Sequence, residues 1–161
     1  MKNLLSVLTI LILTSSSVFS AGSSGDSQPE VSDYKKAVKL INSAKKYEND
    51  GKNEKAEKKY KQAQKLLLKS NTKKPNNADT LNYLGFTTRK LGDYENGEKY
   101  YLKGLEIEPN HVGINEYLGE LYVVTNRIDL ANERLKVLKN CNCEEYNELK
   151  EIINGNKKSK Y

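Results

Sequence analysis

Cys141 and Cys143 stand one residue apart in Asn140-Cys-Asn-Cys-Glu-Glu-Tyr146, and they are the two cysteines of the 161-residue chain. Thiols at that spacing can form a disulfide, exchange with another disulfide, or supply part of a metal site. In an oxidising compartment they pair, because a bent chain brings their α-carbons within the roughly 4.4–6.8 Å that the bond needs. So short a ring removes little unfolded-state entropy, which makes the bond a clip that orients the following helix more than a stabiliser. Zinc would need further Cys or His ligands nearby, and thiol exchange also lacks supporting groups. His111 is the one histidine and falls where a polar residue starts a helix, so no nucleophile–base pair can be assembled around a Ser or Cys. Gly92, Gly97 and Gly104 follow no strand and do not read as a phosphate cradle. The chemistry-bearing residues therefore predict a protein that is not an enzyme and uses no metal or cofactor.

Charge is the next resource. Lys52, Lys55, Lys58, Lys59, Lys61, Lys65, Lys69, Lys73 and Lys74 crowd one segment of a chain whose net charge is +6. Such a run can track phosphates or an anionic membrane face. Interleaved with Glu48, Glu54 and Glu57, it reads instead as the solvated side of a helix. We expect no nucleic-acid partner and at most a weak attraction to an anionic envelope surface.

The elements that carry these residues repeat. Leu84, Gly85, Thr88, Gly92, Gly97, Tyr101 and Gly104 recur 34 positions later as Leu118, Gly119, Tyr122, Asn126, Ala131, Leu135 and Leu138. An earlier copy, Leu40, Ser43, Ala44, Tyr47, Gly51, Ala56, Tyr60 and Ala63, falls on Leu81 to Gly104 at an offset of 41. The seven extra residues fall in Lys69–Asn77, read as a lengthened second helix and a loop ending near Pro75. Three-, four- and seven-residue steps place Leu84, Thr88 and Leu91, and then Tyr94, Tyr101 and Leu105, on single helical stripes. Gly85 and Gly119 mark close helix crossings, since a mid-helix Gly costs about 0.8–1 kcal/mol against Ala unless packing returns it. With 37% hydrophobic and 30% charged residues and 11 tyrosines, the core is thin, as a single layer of stacked helices requires.

The segment Leu81–Asn110, LNYLGFTTRKLGDYENGEKYYLKGLEIEPN, resembles the tetratricopeptide repeat family, with Leu81 at its Trp position, Thr88 at its Tyr, and Gly97 and Gly104 at its Ala positions. The resemblance implies an all-α fold, an α-α superhelix of about three helical hairpins at 37–70, 78–111 and 112–145, closed by a capping helix at about 143–154. The box Asn142/Glu145 would start that helix. The repeat domain spans 33–154 and a basic tail 155–161. In this family the first helix of each repeat lines a concave groove. By position that selects Val38, Ile41, Lys45 and Glu48, then Asp79, Asn82, Phe86 and Arg89, then Gly113, Glu116, Glu120 and Val123. Phe86 beside Arg89 is either an apolar anchor next to a charge, as peptide hot spots use, or a ring packed under a neighbouring helix. Tyr83 and Tyr117, also 34 apart, either pack between repeats or form a ladder at the groove edge. Glu116 and Glu120 stand where some members use cations to grip a terminal carboxylate, so that mode is not expected.

Residues 1–20 carry a short positive end, an apolar run from Leu4 to Leu13 and a small-residue exit, the pattern of a secretory signal peptide cut before Ala21. Residues 21–32 form a flexible leader. A Lys- and Asn-rich secreted chain looks bacterial, and the Cys-x-Cys-Glu-Glu-Tyr ending resembles short secreted bacterial tetratricopeptide proteins; we expect a periplasmic or secreted location. The function expected is a scaffold that binds a protein or peptide in the groove, with small-molecule binding or transport assistance as the alternative.

Overall fold

A computed structural model describes residues 32–159; the proposed signal peptide and residues 21–31 of the leader lie outside the described residues. Seven helices account for the described fold, and no strand occurs among the described residues. They are α1 (Asp33–Asn49), α2 (Asn53–Lys73), α3 (Ala78–Lys90), α4 (Tyr94–Ile107), α5 (Val112–Val124), α6 (Ile128–Leu138) and α7 (Glu144–Ile153). Among the described residues no helix is long and apolar enough to cross a membrane.

α1/α2, α3/α4 and α5/α6 pair as hairpins, each joined by a three-residue turn. Each turn needs one residue in the left-handed region: Gly51 (φ 72°), Gly92 (φ 90°) and Asn126 (φ 58°). Glycine bears that conformation without a Cβ clash, and asparagine is among the residues that tolerate it best. The residue after each one reaches back five positions, Lys52 N–H to Tyr47 O (2.7 Å), Asp93 N–H to Thr88 O (3.2 Å) and Arg127 N–H to Tyr122 O (2.7 Å). These are Schellman closures, which satisfy carbonyls that a helix end would otherwise leave bare. Side chains cap the opposite ends: Asn77 Oδ1 accepts from Thr80 N–H, Asp93 from Asn96 N–H, and His111 Nδ1 from Ile114 N–H at 3.1 Å. His111 is thus a helix cap, with its Nε2 3.2 Å from Asp79.

The second helices follow a small–large–small rule. Ala56, Tyr60 and Ala63 on α2 correspond to Gly97, Tyr101 and Gly104 on α4, all buried. The small residues let helices approach. A Cβ on Gly85 would stand 2.5 Å from the Tyr101 ring, and one on Gly119 would stand 2.5 Å from Leu149 of α7. α2 has 21 residues against 14 in α4, a seven-residue excess that accounts for the widened offset. Seven residues are about two turns, so the helix lengthens without rotating its buried face. Its final turns place Lys73 Nζ 2.9 Å and Lys69 Nζ 3.5 Å from the buried Asp33 carboxylate at the start of α1.

The first helices approach in succession, α1 with α3, α3 with α5 and α5 with α7, whereas the backbones of α2, α4 and α6 make no such approach to one another among the described residues. An inner row in contact and an outer row splayed apart is the geometry of an α-α superhelix whose concave side belongs to α1, α3, α5 and α7. α7 closes the stack against both α5 and α6. Its N-cap is Cys143, bonded to Cys141, and not Asn142, whose backbone is turned into the left-handed region (φ 49°). The Asn142/Glu145 capping box expected from sequence is therefore not formed.

Candidate binding face

The concave positions form three columns along the stack: Ile41, Asn82, Glu116; Lys45, Phe86, Glu120; and Glu48, Arg89, Val123. Superhelical curvature drives most of them inward. Ile41, Phe86, Arg89 and Glu120 are at most 2% exposed, Asn82 is 6% and Glu116 5% exposed, while Lys45, Glu48 and Val123 are half-buried.

Phe86 takes the packed alternative and is not an exposed anchor. Its ring lies 5.8 Å from Tyr60 and 5.1 Å from Tyr117, and the Lys45 ammonium sits 4.7 Å above it. Lys45 Nζ also donates to Tyr117 Oη at 3.3 Å, so one lysine spans the first and third hairpins over the face of the second. An ammonium on an aromatic face is attracted by the ring quadrupole, by about 0.5–2 kcal/mol depending on desolvation. Burial pushes the Tyr117 phenol well above its ordinary range, and Tyr60, buried and bonded to Glu48 at 2.8 Å, shifts the same way. Tyr83 pairs with Tyr34 at 5.9 Å between repeats. Tyr83 and Tyr117 therefore pack between helices; Tyr117 also completes the Lys45–Phe86 box.

Farther along the stack the face becomes acidic. Arg89 of α3 donates to the Tyr117 carbonyl at 2.8 Å and reaches the Glu120 carboxylate at 3.5 Å. Glu116 stands one turn before Glu120 on α5 and shares a hydrogen bond with Glu148 of α7. Burial first, then the neighbouring Glu120 and Glu148 carboxyls, push Glu116 up to about 8. Burial disfavours the ionised form of Glu116 most, and the like charges beside it add to that. The chain after α7 doubles back: Lys157 Nζ lies 2.6 Å from Glu148 and Ser159 Oγ donates to Glu120 at 3.1 Å. Asn82 Oδ1, in the same column as Glu116, is buried and without a hydrogen-bond partner among the described residues.

Glu148, Lys157 and Ser159 were outside the reach of the repeat spacing, since α7 has no 34-residue counterpart. Tyr117 carried a signal, its spacing from Tyr83, although the spacing does not show that Lys45 meets it. The disulfide Cys141–Cys143 joins the α6–α7 turn with α-carbons 5.2 Å apart, beside a surface cleft of about 450 Å³ lined by Lys139, Asn142, Glu144, Tyr146 and Asn147.

Three hairpins, an inner row of first helices and a closing helix define an α-α superhelix of tetratricopeptide type. Residues 78–111 match the family model of the tetratricopeptide repeat. Among solved structures, the first TPR of Spaghetti (RPAP3), bound to the HSP90 peptide SRMEEVD, aligns over 77% of this chain and 95% of its own, at 20% identity and a TM-score of 0.53. The type III secretion translocator chaperone SycD of Yersinia enterocolitica aligns over 78% and 86%, at 15% identity and a TM-score of 0.54. These likenesses are of fold. No curated protein matches the chain.

Proposed function

We propose that the chain is an exported, non-enzymatic scaffold that holds a segment of another protein along its concave face. The observation that carries this reading is the polar investment on that face: Asn82, Arg89, Glu116 and Glu120 are all at most 6% exposed. A buried ion pair is often no better than an apolar replacement of similar volume, and a stack of helices needs only the latter. Asn82 Oδ1 on that face has no hydrogen-bond partner among the described residues, and the half-buried Lys45, Glu48 and Val123 are the part of it that an incoming segment can reach. The SycD chaperone and the Spaghetti repeat bound to an HSP90 peptide lend the reading plausibility as fold relatives. The Cys141–Cys143 bond and the apolar start of the sequence support export.

The test must avoid Phe86 and Arg89, whose burial would turn any loss into a folding defect. A displayed peptide library is panned on the chain, on Lys45→Glu and on Lys103→Glu; Lys103 lies on an exposed part of α4. Selected peptides are expected to bind the α4 variant as they bind the parent and to change at least about tenfold in affinity on Lys45→Glu, downward for acidic peptides and upward for lysine-bearing ones, the 1.4 kcal/mol of one charged contact. Equal binding to all three forms would remove the concave face from the account. Sequencing the N-terminus of the mature protein tests export, with Ala21 expected first.

A further inference from the structure

The tail beyond α7 does not leave the molecule. Gly155 (φ 75°) turns the chain, and the Asn156 and Lys157 N–H groups both return to the Glu151 carbonyl at 3.0 and 3.2 Å. From that reversal Lys157 and Ser159, two positions apart, reach two carboxylates on different helices, Glu148 on α7 and Glu120 on α5. Alternate side chains meeting successive sites is how an extended segment is read.

The receiving surface offers matching acceptors. Glu116, Glu120 and Glu148 come together with Glu145 near enough to act on Glu116 electrostatically. Glu120 is also held by Arg89. The counterparts the tail supplies are an ammonium, Lys157, and a neighbouring hydroxyl, Ser159. Asn82 Oδ1, buried and without a partner among the described residues, offers one more acceptor in the same column. The tail's side-chain contacts are exchangeable: the Lys157 side chain is 38% exposed against 16% for Glu148, and what residues 156 and 157 give to α7 itself is backbone, their N–H groups closing its end on the Glu151 carbonyl.

We propose that the concave face recognises a lysine-bearing extended segment of its protein partner, and that the chain's own C-terminal tail occupies the acidic end of that face as an intramolecular competitor. This rests on the scaffold reading above and names its partner's chemistry. A tethered segment meets its site at an effective concentration in the millimolar range, so a partner must bind more tightly than the free tail does.

A fluorescent peptide of residues 155–161 and arrays of acidic, apolar and lysine-rich peptides are titrated against three full-length forms. These are the parent, a tail variant (Lys157→Ser, Lys158→Ser, Ser159→Ala), and that tail variant with Glu148→Gln added. None of these substitutions touches a residue buried in the core. The tail variant is expected to bind the tail peptide and lysine-rich peptides at least fivefold more tightly than the parent. Adding Glu148→Gln should weaken that binding about tenfold, and binding should fall as salt rises from 50 to 300 mM. Equal affinity for parent and tail variant would overturn the competitor role. Acidic or apolar peptides captured by any of the three forms, with lysine-rich ones ignored, would overturn the inference and leave the scaffold reading standing. No peptide bound by any form would remove both.

Discussion

Arg89 and Glu120 are 2% and 1% exposed and 3.5 Å apart, which makes each the condition for the other's burial. Arg89→Met leaves Glu120 as an uncompensated interior carboxylate and is expected to cost about 3–5 kcal/mol, read as a lowered urea midpoint. Arg89→Met combined with Glu120→Leu should recover most of that loss, since the desolvated charges disappear together; a double variant no better than the single one would show that the pair is not the issue. Glu116 behaves differently because it is buried among its own kind. Its folded value of about 8 lies above the ordinary 4.5, so between those limits the native chain holds a proton that the unfolded chain has released. The unfolded state thus binds fewer protons, and the stability attached to Glu116, full below pH 4.5, drains away as pH rises to 8. Glu116→Gln keeps a neutral group at every pH. Its thermal midpoint should exceed the parent's by at least about 4 °C at pH 8 and converge on it near pH 4; parallel curves across that range would contradict the raised acidity constant.

The helices and turns show where sequence can be trusted. Gly92 has a positive φ and open space around its missing Cβ, so Gly92→Ala should cost only backbone strain, about 1–2 kcal/mol, while Asn126→Gly at the equivalent turn should be near neutral. Gly85→Ala should cost about 1–3 kcal/mol despite its better helix propensity, because the new methyl meets the Tyr101 ring at 2.5 Å. Guanidinium denaturation separates these cases, and a stabilising Gly85→Ala would refute the close-crossing role. The tight crossings at Gly85 and Gly119 were legible beforehand, since a close approach admits very few residue types; Gly92 was legible only as a small residue of the repeat, grouped by spacing with the helix-contact glycines, and makes a left-handed turn instead. The long α2 was legible too: its two added turns had to preserve the spacing on either side. Two features were not legible. The start of α7 reads as an Asn142/Glu145 box, yet the clip between Cys141 and Cys143 turns Asn142 left-handed and puts Cys143 in the capping place. Whether Phe86 is groove or core depends on how closely Lys45 of α1 and Tyr117 of α5 close over it, a matter of stack curvature set by contacts 41 and 31 residues away in the chain.

At the scale of the whole stack, stability is a sum of hairpins and their junctions. One buried cluster joins α1, α2 and α3 through Ala37, Ile41, Tyr60, Leu67, Leu81 and Phe86; a second joins Ala78 and Tyr101 to Ile114, Leu118, Leu121, Tyr122 and Ala131. Tyr117 packs against both. The junction between α4 and α5 is lighter than that between α2 and α3, and the acidic group Glu116, Glu120 and Glu148 lies beyond it, on α5 and α7. The two halves should therefore open at different free energies, as local units do in other folds. Native-state hydrogen exchange at pH 6 is expected to show α5–α7 opening about 1–2 kcal/mol below α1–α4. The gap should widen at pH 8.5, because the proton on Glu116 that relieves like-charge repulsion is then lost. Tyr117→Ala should uncouple the halves and turn a single denaturation transition into two. Uniform protection across all seven helices, unchanged by pH, would mean that the stack behaves as one cooperative block and that the acidic end carries no local strain. A graded opening, by contrast, would leave the inner face around α5 and α7 as the part of the molecule that yields first, which is the part a partner segment must enter.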